Sequence, residues 1–366
     1  MDNLSKVSVI LPSLDPDEKL IAVIDGLLEY GFPDIILIND GSKPENMHYF
    51  EEADKHPEVH LLHHEVNRGK GAALKTAFTW FLKNRPDFAG VVTVDGDNQH
   101  HPDDTRRCAQ RMLETGNLIL GVRDFDQPDV PFRSRNGNKI TSLVFKIFVN
   151  MTISDTQTGL RAIPVSVLPL LNSVYGDRFE YETNMLLALK ENCIAFEEVK
   201  IRTVYIEENK SSHFRAVRDS WRIYKLILAH FFKYTLASVC SAVIDMGIFT
   251  VMTTLLRSCL NGLLLTAIPT VAARLISSMF NFLVNKKVVF KSQANTFKAF
   301  LRYYALAIPV AVAQFLLTDG AFMLFNIGES QTLLRTVIYG IVMAVLFVVT
   351  FLIQQRWVFD PAKKNK

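Results

Sequence analysis

The sequence predicts two domains of different fold class: an α/β domain with a mostly parallel sheet, followed by an all-α membrane domain of four helices. Short apolar segments alternate with amphipathic ones up to residue 122, which is typical of strands and helices in a parallel sheet. Four apolar stretches of about 20 residues follow residue 233, and each is long enough to span a bilayer. From Ala229 onward the chain carries 13 Lys and Arg against four Asp and Glu, whereas residues 1–228 are acidic.

The overall composition excludes several classes of protein. With 49% apolar residues among 366, the chain is not disordered. A net charge of +3 argues against a nucleic-acid partner held by bulk charge. The four cysteines lie far apart in sequence, so they predict neither a disulfide framework nor a zinc knuckle. The first residues lack a basic segment followed by an apolar one, so we expect the first domain to lie in the cytosol.

The α/β domain is predicted from its elements in order. Apolar segments predict strands at residues 7–11, 35–38, 59–62, 90–94 and 118–122. Helical spacing of apolar residues predicts helices at residues 18–30, 69–84 and 102–114. Two strands end in the acidic turns that contain Asp40 and Asp95. Because ligands bind beyond the carboxyl ends of parallel strands, these two residues are expected at the binding edge of the sheet.

The turn Asp95-Gly96-Asp97 combines two carboxylates one residue apart, directly after a predicted buried strand. Carboxylate oxygens are ligands that hard divalent cations prefer, and Mg²⁺ leaves coordination positions for phosphate oxygens. The turn therefore predicts a cation that stabilises a leaving diphosphate. An acidic turn without a metal is the alternative for this motif taken alone.

The four predicted spans cover residues 234–256, 263–284, 303–325 and 333–353. The sequence repeats after 69 residues: Lys233-Tyr234 matches Arg302-Tyr303, and residues 282–290 match residues 351–359. This repeat predicts a duplicated two-helix hairpin whose two copies share one orientation.

The loops between the spans predict the orientation in the cell membrane. Ten Lys and Arg fall on one side, but only Arg257 and Arg335 fall on the other. The positive-inside rule then places the N-terminal domain and both termini in the cytoplasm.

Residues 213–232 form a basic segment between residues 1–212 and the membrane domain, 233–366. Its cations recur every three or four residues, beside Trp221 and Tyr224, at Arg215, Arg218, Arg222 and Lys225. This spacing predicts an amphipathic helix on an anionic bilayer surface. An ordinary solvated basic face is the alternative.

Residues 7–214 resemble glycosyltransferase family 2, in particular its polyprenyl-phosphate sugar transferases. The likeness rests on six motifs taken together, at Asn39-Asp40-Gly41-Ser42, Asn67-Arg68-Gly69-Lys70-Gly71, residues 95–102, Gly121-Val122-Arg123, residues 134–138 and residues 155–161. The resemblance implies a Rossmann-like GT-A fold and a metal-dependent hexosyltransferase that uses Mg²⁺ or Mn²⁺. It also implies a nucleotide sugar, UDP- or GDP-linked, as donor and a polyprenyl phosphate as acceptor.

The resemblance also implies roles for particular residues. It assigns catalytic roles to Asp95, Asp97 and Asp155, and metal binding to Asp95, Asp97 and Gln99. The implied nucleotide-binding residues are Pro12, Leu14, Asp15, Asp40, Lys70 and Asp95. The implied acceptor phosphate-binding residues are Arg123, Arg135 and Asn138. The chain departs from the family at its first motif, where Pro16 stands in place of Glu, so Asp15 or Glu18 would substitute.

The membrane domain resembles the GtrA-like family, through residues 281–290 and through the duplication. Such proteins are proposed to help polyprenyl-linked sugars cross the membrane. Asp245 and Arg274 fall near the middle of predicted spans, and Asp319 lies within the third. Because ionised groups inside a membrane are costly, we expect a polar pathway or a structural ion pair at Asp245 and Arg274.

The main interpretation is therefore an inverting transfer of a sugar to polyprenyl phosphate for decoration of cell-envelope glycans. A phosphate acceptor is already mostly dianionic near pH 7, so it needs little help from a general base. A processive polysaccharide synthase and a non-enzymatic membrane transporter or scaffold are the alternatives. The lipid bilayer is a further partner, no nucleic acid is expected, and a homo-oligomer stays open.

Overall fold

The computed structural model describes residues 3–127, 130–202, 224–225, 228–260, 262–292, 294–328 and 331–359. The chain forms two compact units, Met1–Lys225 and Leu226–Lys366. Most of the predicted interfacial segment, residues 213–232, lies outside the described residues.

In its described residues the first unit is built on one sheet of seven strands. In chain order they are β1 Val7–Ser13, β2 Ile35–Asp40, β3 Val59–His64, β4 Gly90–Thr93, β5 Leu118–Arg123, β6 Arg161–Pro164 and β7 Phe196–Ile201. Their spatial order is β3-β2-β1-β4-β6-β5-β7. Neighbouring strands run parallel except at β6, which is antiparallel to both β4 and β5. The predicted α/β class with a mostly parallel sheet is confirmed.

Helices connect the strands of this sheet. They are α1 Lys19–Glu29, α2 Met47–Ala53, α3 Lys70–Asn84, α4 Pro102–Thr115, α5 Phe132–Val144, α6 Leu168–Asn172 and α7 Glu180–Glu191. Every residue of β2 and of β4 is buried, as expected for central strands that are covered on both faces. Apolar side chains of β1, β2, α1 and α4 meet in one core, which includes Val9, Leu37, Ile24 and Met112.

The antiparallel strand β6 was not predicted, and its direction determines which loop reaches the binding edge of the sheet. Because β6 runs against its neighbours, it begins at the edge where β4 and β5 end. The segment of residues 155–160, which leads into β6, is thereby brought to the binding edge.

The second unit consists of four long apolar helices, α8 Ala229–Leu256, α9 Gly262–Val284, α10 Thr296–Leu324 and α11 Thr332–Ile353. All four are long and apolar enough to cross a membrane. They overlap the four predicted spans. The helix α10 begins seven residues earlier than predicted, and the Asn295 side chain caps it by accepting the N–H groups of Phe297 and Lys298. A turn of π-helix follows α9 at Asn285–Val289 and follows α11 at Gln354–Val358.

The two hairpins, α8–α9 and α10–α11, are related by a local two-fold. The Tyr234 and Phe351 rings are 5.2 Å apart, and their counterparts 69 residues away, Tyr303 and Phe282, are 5.5 Å apart. On the axis itself, Asn285 Nδ2 lies 3.3 Å from Oε1 of its own counterpart, Gln354. Reciprocal contacts of this kind define a two-fold interface, and they agree with the duplicated hairpin that the sequence repeat predicts.

Candidate active site

The carboxyl ends of β1, β2 and β4 lie at one edge of the sheet because these strands are parallel. Asp95 and Asp97 follow β4 at this edge, in a turn where Asn98 adopts a left-handed φ of 60°. The turn ends at His101, whose side chain caps α4 by accepting the N–H of Asp103 at 3.2 Å. The cap and the left-handed residue fix the path of the acidic turn.

Lys70, the first residue of α3, joins the acidic turn to a further carboxylate. Its Nζ lies 2.7 Å from Asp95 Oδ1 and 2.8 Å from Glu182 Oε1. Burial lowers the pKa of Lys70, but the attraction of the two carboxylates outweighs burial, so the pKa lies above its ordinary value. Burial works against ionised Asp95 as well, yet Lys70 and His100 hold the pKa of its carboxyl well below its usual range. Lys70 and Asp95 are therefore both charged at neutral pH.

Asp97 lies in a different electrostatic environment from Asp95. Burial and the neighbouring charge of Asp95 raise the pKa of Asp97 above its ordinary value, as expected where two carboxylates share one site. The Asp97 carboxylate accepts one backbone hydrogen bond, from the Gln99 N–H at 3.2 Å. A cation at this turn would relieve the repulsion between the two carboxylates.

The residues of the turn fit a magnesium-type ion. In the part of the chain that the structure describes, no cluster of three or more His, Cys, Asp or Glu side chains is arranged to hold a metal. The protein would therefore supply the carboxylates of Asp95 and Asp97, with Gln99 beside them. Mg²⁺ is usually held by one or two carboxylates together with waters and substrate phosphates, and this donor set meets that requirement.

Gly159 allows a close approach of the backbone to the acidic turn. A Cβ at this position would lie 2.2 Å from Asp95 Oδ2. The Gly159 carbonyl is fixed in turn by β4, since it accepts a hydrogen bond from Thr93 Oγ1 at 2.7 Å. Only glycine leaves room here for the Asp95 carboxylate.

Asp155 and Arg123 were predicted as separate site residues, and the structure pairs them. Arg123 Nε lies 2.7 Å from Asp155 Oδ2, and Arg123 Nη2 lies 3.2 Å from Asp155 Oδ1, a two-point contact. Asp155 is fully buried, whereas Arg123 is partly exposed. Asp155 therefore sets the position of the guanidinium. A direct contact between Asp155 and substrate stays a prediction.

Asn138 and Arg135 lie on α5, and both donate hydrogen bonds to backbone carbonyls. Asn138 Nδ2 donates to the Ser154 carbonyl at 2.6 Å, and its Oδ1 accepts the Thr156 N–H at 3.4 Å. Asn138 is also buried. Through these contacts Asn138 fixes the loop that carries Asp155. Its predicted role in binding the acceptor phosphate stays a prediction. Arg135 donates to the carbonyls of Phe125 and Gln127, so its predicted role as a phosphate ligand stays a prediction.

Asp40 is enclosed at the end of β2 instead of lining an opening. Its carboxylate accepts the N–H groups of Arg68 at 3.0 Å and Gly69 at 2.8 Å, and it lies 2.6 Å from His64 Nδ1. These bonds hold the start of α3, and thereby Lys70, in place. The predicted role of Asp40 in nucleotide binding stays a prediction. Gly41 follows with a φ of 76°, and a Cβ there would lie 2.3 Å from the backbone of Val66.

Asp15 connects the loops that follow β1 and β2. Its Oδ1 accepts the Lys43 N–H at 2.8 Å, and its own N–H donates to Ser42 Oγ at 2.8 Å. Pro12 and Leu14 lie beside it and are half-buried. Their contact with a nucleotide stays a prediction.

Two charged residues of the site were absent from the predicted set. Glu182 lies in the first turn of α7, where acidic residues are common, so nothing local marks it as functional. Arg161 did carry a signal, because it is a charged residue in a four-residue strand that is otherwise apolar. Its side chain is completely buried, and its Nη1 donates to the Glu182 carbonyl at 3.0 Å. Arg161 thus fixes the helix turn that carries Glu182.

In the second unit the structure brings together the two predicted intramembrane charges. Arg274 Nε lies 3.8 Å from Asp245 Oδ2. Asp245 Oδ1 also accepts a hydrogen bond from Ser277 Oγ at 2.8 Å.

Comparison with known families divides the chain in the same way. Residues 8–168 match the model for glycosyl transferase family 2, and residues 233–359 match the model for the GtrA/DPMS transmembrane domain. A UDP-N-acetylglucosamine–dolichyl-phosphate N-acetylglucosaminyltransferase of Methanococcus voltae is 26% identical over 55% of this chain and 86% of its own. An undecaprenyl-phosphate 4-deoxy-4-formamido-L-arabinose transferase of Photorhabdus laumondii is 26% identical over 40% of this chain and 45% of its own.

Among solved structures, the chain is similar to glucosyl-3-phosphoglycerate synthase from Mycobacterium tuberculosis. The TM-score is 0.47 and the sequence identity is 16%, over 62% of this chain and 78% of that one.

Proposed function

The chain joins a glycosyl transferase family 2 domain to a GtrA/DPMS transmembrane domain, and on that basis we propose that it transfers a sugar from a nucleotide sugar to a polyprenyl phosphate in the membrane. The relatives that are named for such transfers support the choice of acceptor. The donor carries UDP or GDP, and the lipid product serves the decoration of cell-envelope glycans.

The observation that carries this proposal is the cluster of Asp95, Lys70 and Glu182 beside Asp97, at the carboxyl edge of β4. A nucleotide sugar leaves as a nucleoside diphosphate, so its transfer requires positive charge where the diphosphate forms. Lys70 begins a helix, where backbone N–H groups and the helix dipole also favour an anion. Glu182 and Asp95 hold the ammonium at this place before the donor binds.

A Mg²⁺ or Mn²⁺ ion held by Asp95, Asp97 and Gln99 would neutralise charge on the diphosphate as it leaves. Residues of the protein hold the other charged groups of the site in position. Gly159 allows Asp95 its position, and Asp40 anchors the helix start that presents Lys70. Such fixed groups stabilise developing charge without having to reorganise during the reaction.

In the transfer step an oxygen of the lipid phosphate attacks the anomeric carbon from the face opposite the diphosphate. A bond forms between that oxygen and the anomeric carbon, and the bond from that carbon to the diphosphate oxygen breaks. The electron pair leaves with the nucleoside diphosphate, so the anomeric configuration inverts. The second pKa of a phosphate monoester is about 6, so the nucleophile is already ionised and no general base is required.

The partly exposed Arg123, held by buried Asp155, binds the lipid phosphate together with Arg135. A guanidinium suits this task because its planar fork matches two phosphate oxygens. Asn138 contributes by fixing the loop on which Asp155 lies.

The transfer is tested with membranes that contain the full chain, polyprenyl phosphate and labelled UDP- or GDP-sugars. Label is expected in the lipid fraction with one of the donors. Asp95→Asn should reduce this label at least a hundredfold, because the cation loses a carboxylate ligand and Lys70 loses one of the two carboxylates that hold it. Glu114→Gln is the matched control, since Glu114 is an exposed carboxylate in the last turn of α4, where it pairs with Arg111. Equal label from the wild type and Asp95→Asn would contradict the proposal and favour a scaffold or transporter.

The proposed orientation, with the catalytic domain and both termini in the cytoplasm, is tested with the native cysteines. Cys193 is exposed in the first unit, and Cys259 is exposed in the connection between α8 and α9. A membrane-impermeant maleimide added to intact cells should label Cys259 and spare Cys193. Labelling of Cys193 alone would show the opposite orientation.

A further inference from the structure

The ammonium of Lys70 lies on the carboxylate that the proposed cation would need. Its Nζ is 2.7 Å from Asp95 Oδ1 and 2.8 Å from Glu182 Oε1. The side chains of Lys70 and Glu182 are largely enclosed, with exposed fractions of 18% and 13%. Solvent therefore screens these contacts less than it screens ion pairs on the surface. In the protein by itself, Asp95 is already paired with a cationic group of the chain.

The second oxygen of Asp95 is enclosed by groups that cannot easily move. The backbone of Gly159 lies so close to Oδ2 that a Cβ there would be 2.2 Å from it. The buried His100 places its Nε2 3.7 Å from the same oxygen. A flexible side chain covers only Oδ1, and that side chain is Lys70. The partner of Oδ1 can therefore be exchanged without moving the backbone.

An ammonium and a divalent cation compete for one carboxylate oxygen because they repel each other. Lys70 Nζ lies 2.7 Å from Asp95 Oδ1, and Mg²⁺ binds oxygen at roughly 2.1 Å. Two cations that share this oxygen would thus be no more than about 5 Å apart. At this distance like charges repel strongly, since the site is partly enclosed. Lys70 therefore lowers the affinity for a divalent cation as long as it stays on Asp95.

Glu182 gives the ammonium a second partner outside the proposed cation site. The helix turn that carries Glu182 is fixed by the buried Arg161, whose Nη1 donates to the Glu182 carbonyl at 3.0 Å. Lysine has a flexible four-carbon stem, so Lys70 can leave Asp95 Oδ1 by side-chain rotation alone. Its contact with Glu182 can persist during this movement. The ammonium then stays at the site although Asp95 is free.

A nucleoside diphosphate favours this exchange more than a divalent cation alone does. Lys70 is the first residue of α3, where the helix start also attracts an anion. Phosphate oxygens accept the ammonium in place of Asp95, and they are the ligands with which Mg²⁺ usually completes its coordination. The diphosphate thus removes the competitor and reduces the repulsion between the two cations.

We propose that Lys70 holds the place of the divalent cation on Asp95 in the free protein, and that the diphosphate of the donor releases Asp95 by taking the ammonium. Glu182 is a positioning residue, which keeps Lys70 at the site during the exchange. The cation therefore binds weakly alone and tightly with nucleotide, and by linkage the nucleotide gains equally from the cation. This inference rests on the proposed function for the identity of the donor.

The test measures Mn²⁺ binding to the full chain in nanodiscs by electron paramagnetic resonance, without any transfer reaction. Titrations are made with and without UDP or GDP, and the same nucleotide in protein-free buffer is the baseline. Lys70→Met should bind Mn²⁺ alone about tenfold more tightly than the wild type, because the competing charge is gone. The factor by which nucleotide tightens Mn²⁺ binding should be about tenfold smaller in Lys70→Met than in the wild type.

Two further variants separate competition for Asp95 from a general effect of charge. Lys70→Arg keeps a cation at the position and should bind Mn²⁺ alone as weakly as the wild type. Lys75→Met is the matched control, since Lys75 lies on the same helix and pairs with Asp177 at 3.1 Å. It removes the same charge and should leave Mn²⁺ binding unchanged. Retention of the thermal transition shows that each variant is folded.

Glu182→Gln tests the positioning role with the same measurement. Without the Glu182 carboxylate the ammonium has only Asp95 as its anionic partner. Mn²⁺ alone should therefore bind more weakly than in the wild type, the opposite direction to Lys70→Met. Tighter or unchanged binding would overturn the role given to Glu182.

Equal Mn²⁺ affinity in the wild type and Lys70→Met, an equal gain in Lys75→Met, or no Mn²⁺ binding with either nucleotide would overturn the exchange. Sugar transfer to polyprenyl phosphate is measured in the same preparations. Coupled binding of Mn²⁺ and nucleotide without transfer from any UDP- or GDP-sugar would reject the proposed function and keep the exchange. Transfer with uncoupled binding would do the reverse.

Discussion

Replacement of Gly159 by alanine tests how closely the backbone must approach the acidic turn. The added Cβ would lie 2.2 Å from Asp95 Oδ2 and 2.8 Å from its Cγ, where ordinary contact begins at 3.4 Å. The carboxylate must therefore move by about 1.2 Å, because the Gly159 carbonyl is held by Thr93. A misplacement of about 1 Å in a catalytic group can reduce the rate about a hundredfold. We expect kcat/KM for lipid glycosylation to fall by about that factor in Gly159→Ala.

The measurement is initial-rate transfer of labelled sugar in detergent or nanodiscs, with the thermal transition recorded for the same sample. Gly137→Ala is the matched control, since its Cβ would meet nothing within 4 Å and it lies in the helix α5 of the same unit. Full activity of Gly159→Ala would refute the reasoning. An equal loss in Gly137→Ala would do the same.

Three further changes test other parts of the site. Glu182→Gln removes one of the two carboxylates that hold Lys70. We therefore expect transfer to fall about tenfold, mainly through a higher KM for the nucleotide sugar. An unchanged KM would contradict this prediction. Asn138→Ala removes the hydrogen bond from the buried Asn138 side chain to the Ser154 carbonyl and should destabilise the protein by about 0.5–1.5 kcal/mol, seen as a lower Tm. An unchanged Tm would contradict the structural role. Removal of divalent cations by a chelator should abolish transfer and added Mg²⁺ or Mn²⁺ should restore it, whereas transfer that persists with the chelator would exclude the metal.

The alternation of strands and helices could be predicted because local patterns determine it. Buried strands of a parallel sheet need apolar residues on both faces, and these runs are visible in the sequence from Val7 to Val122. The position of Asp95 at the binding edge follows from the same rule. The antiparallel direction of β6 depends on pairing between distant segments. It therefore cannot be predicted from a local pattern of apolar residues.

The roles of the individual polar residues were harder to predict. The place of Asp40 after β2 predicted nucleotide binding, and the structure adds that its carboxylate accepts the backbone N–H groups of Arg68 and Gly69. Glu182 reaches the site only because α7 packs on α3, beside Lys70. The contact of Glu182 with Lys70 joins residues more than a hundred positions apart, so it becomes visible only in the folded chain.

In the second unit, the repeat of 69 residues predicted the paired hairpins because the two copies of a duplicated segment keep similar sequences. The structure adds the contacts on the axis, such as that of Asn285 with Gln354. It also shows that Asp245 and Arg274 are close enough to pair. Separate spans carry these two residues, and their spacing in sequence does not give the rotation of either helix.

The most direct measurement is mass and anomeric analysis of the lipid formed by the purified chain from one nucleotide sugar and polyprenyl phosphate. The account predicts a polyprenyl monophosphate that carries a single sugar, with its anomeric configuration opposite to that of the donor. A polymer, a retained configuration, or the absence of any glycosylated lipid with every UDP- and GDP-sugar would contradict it.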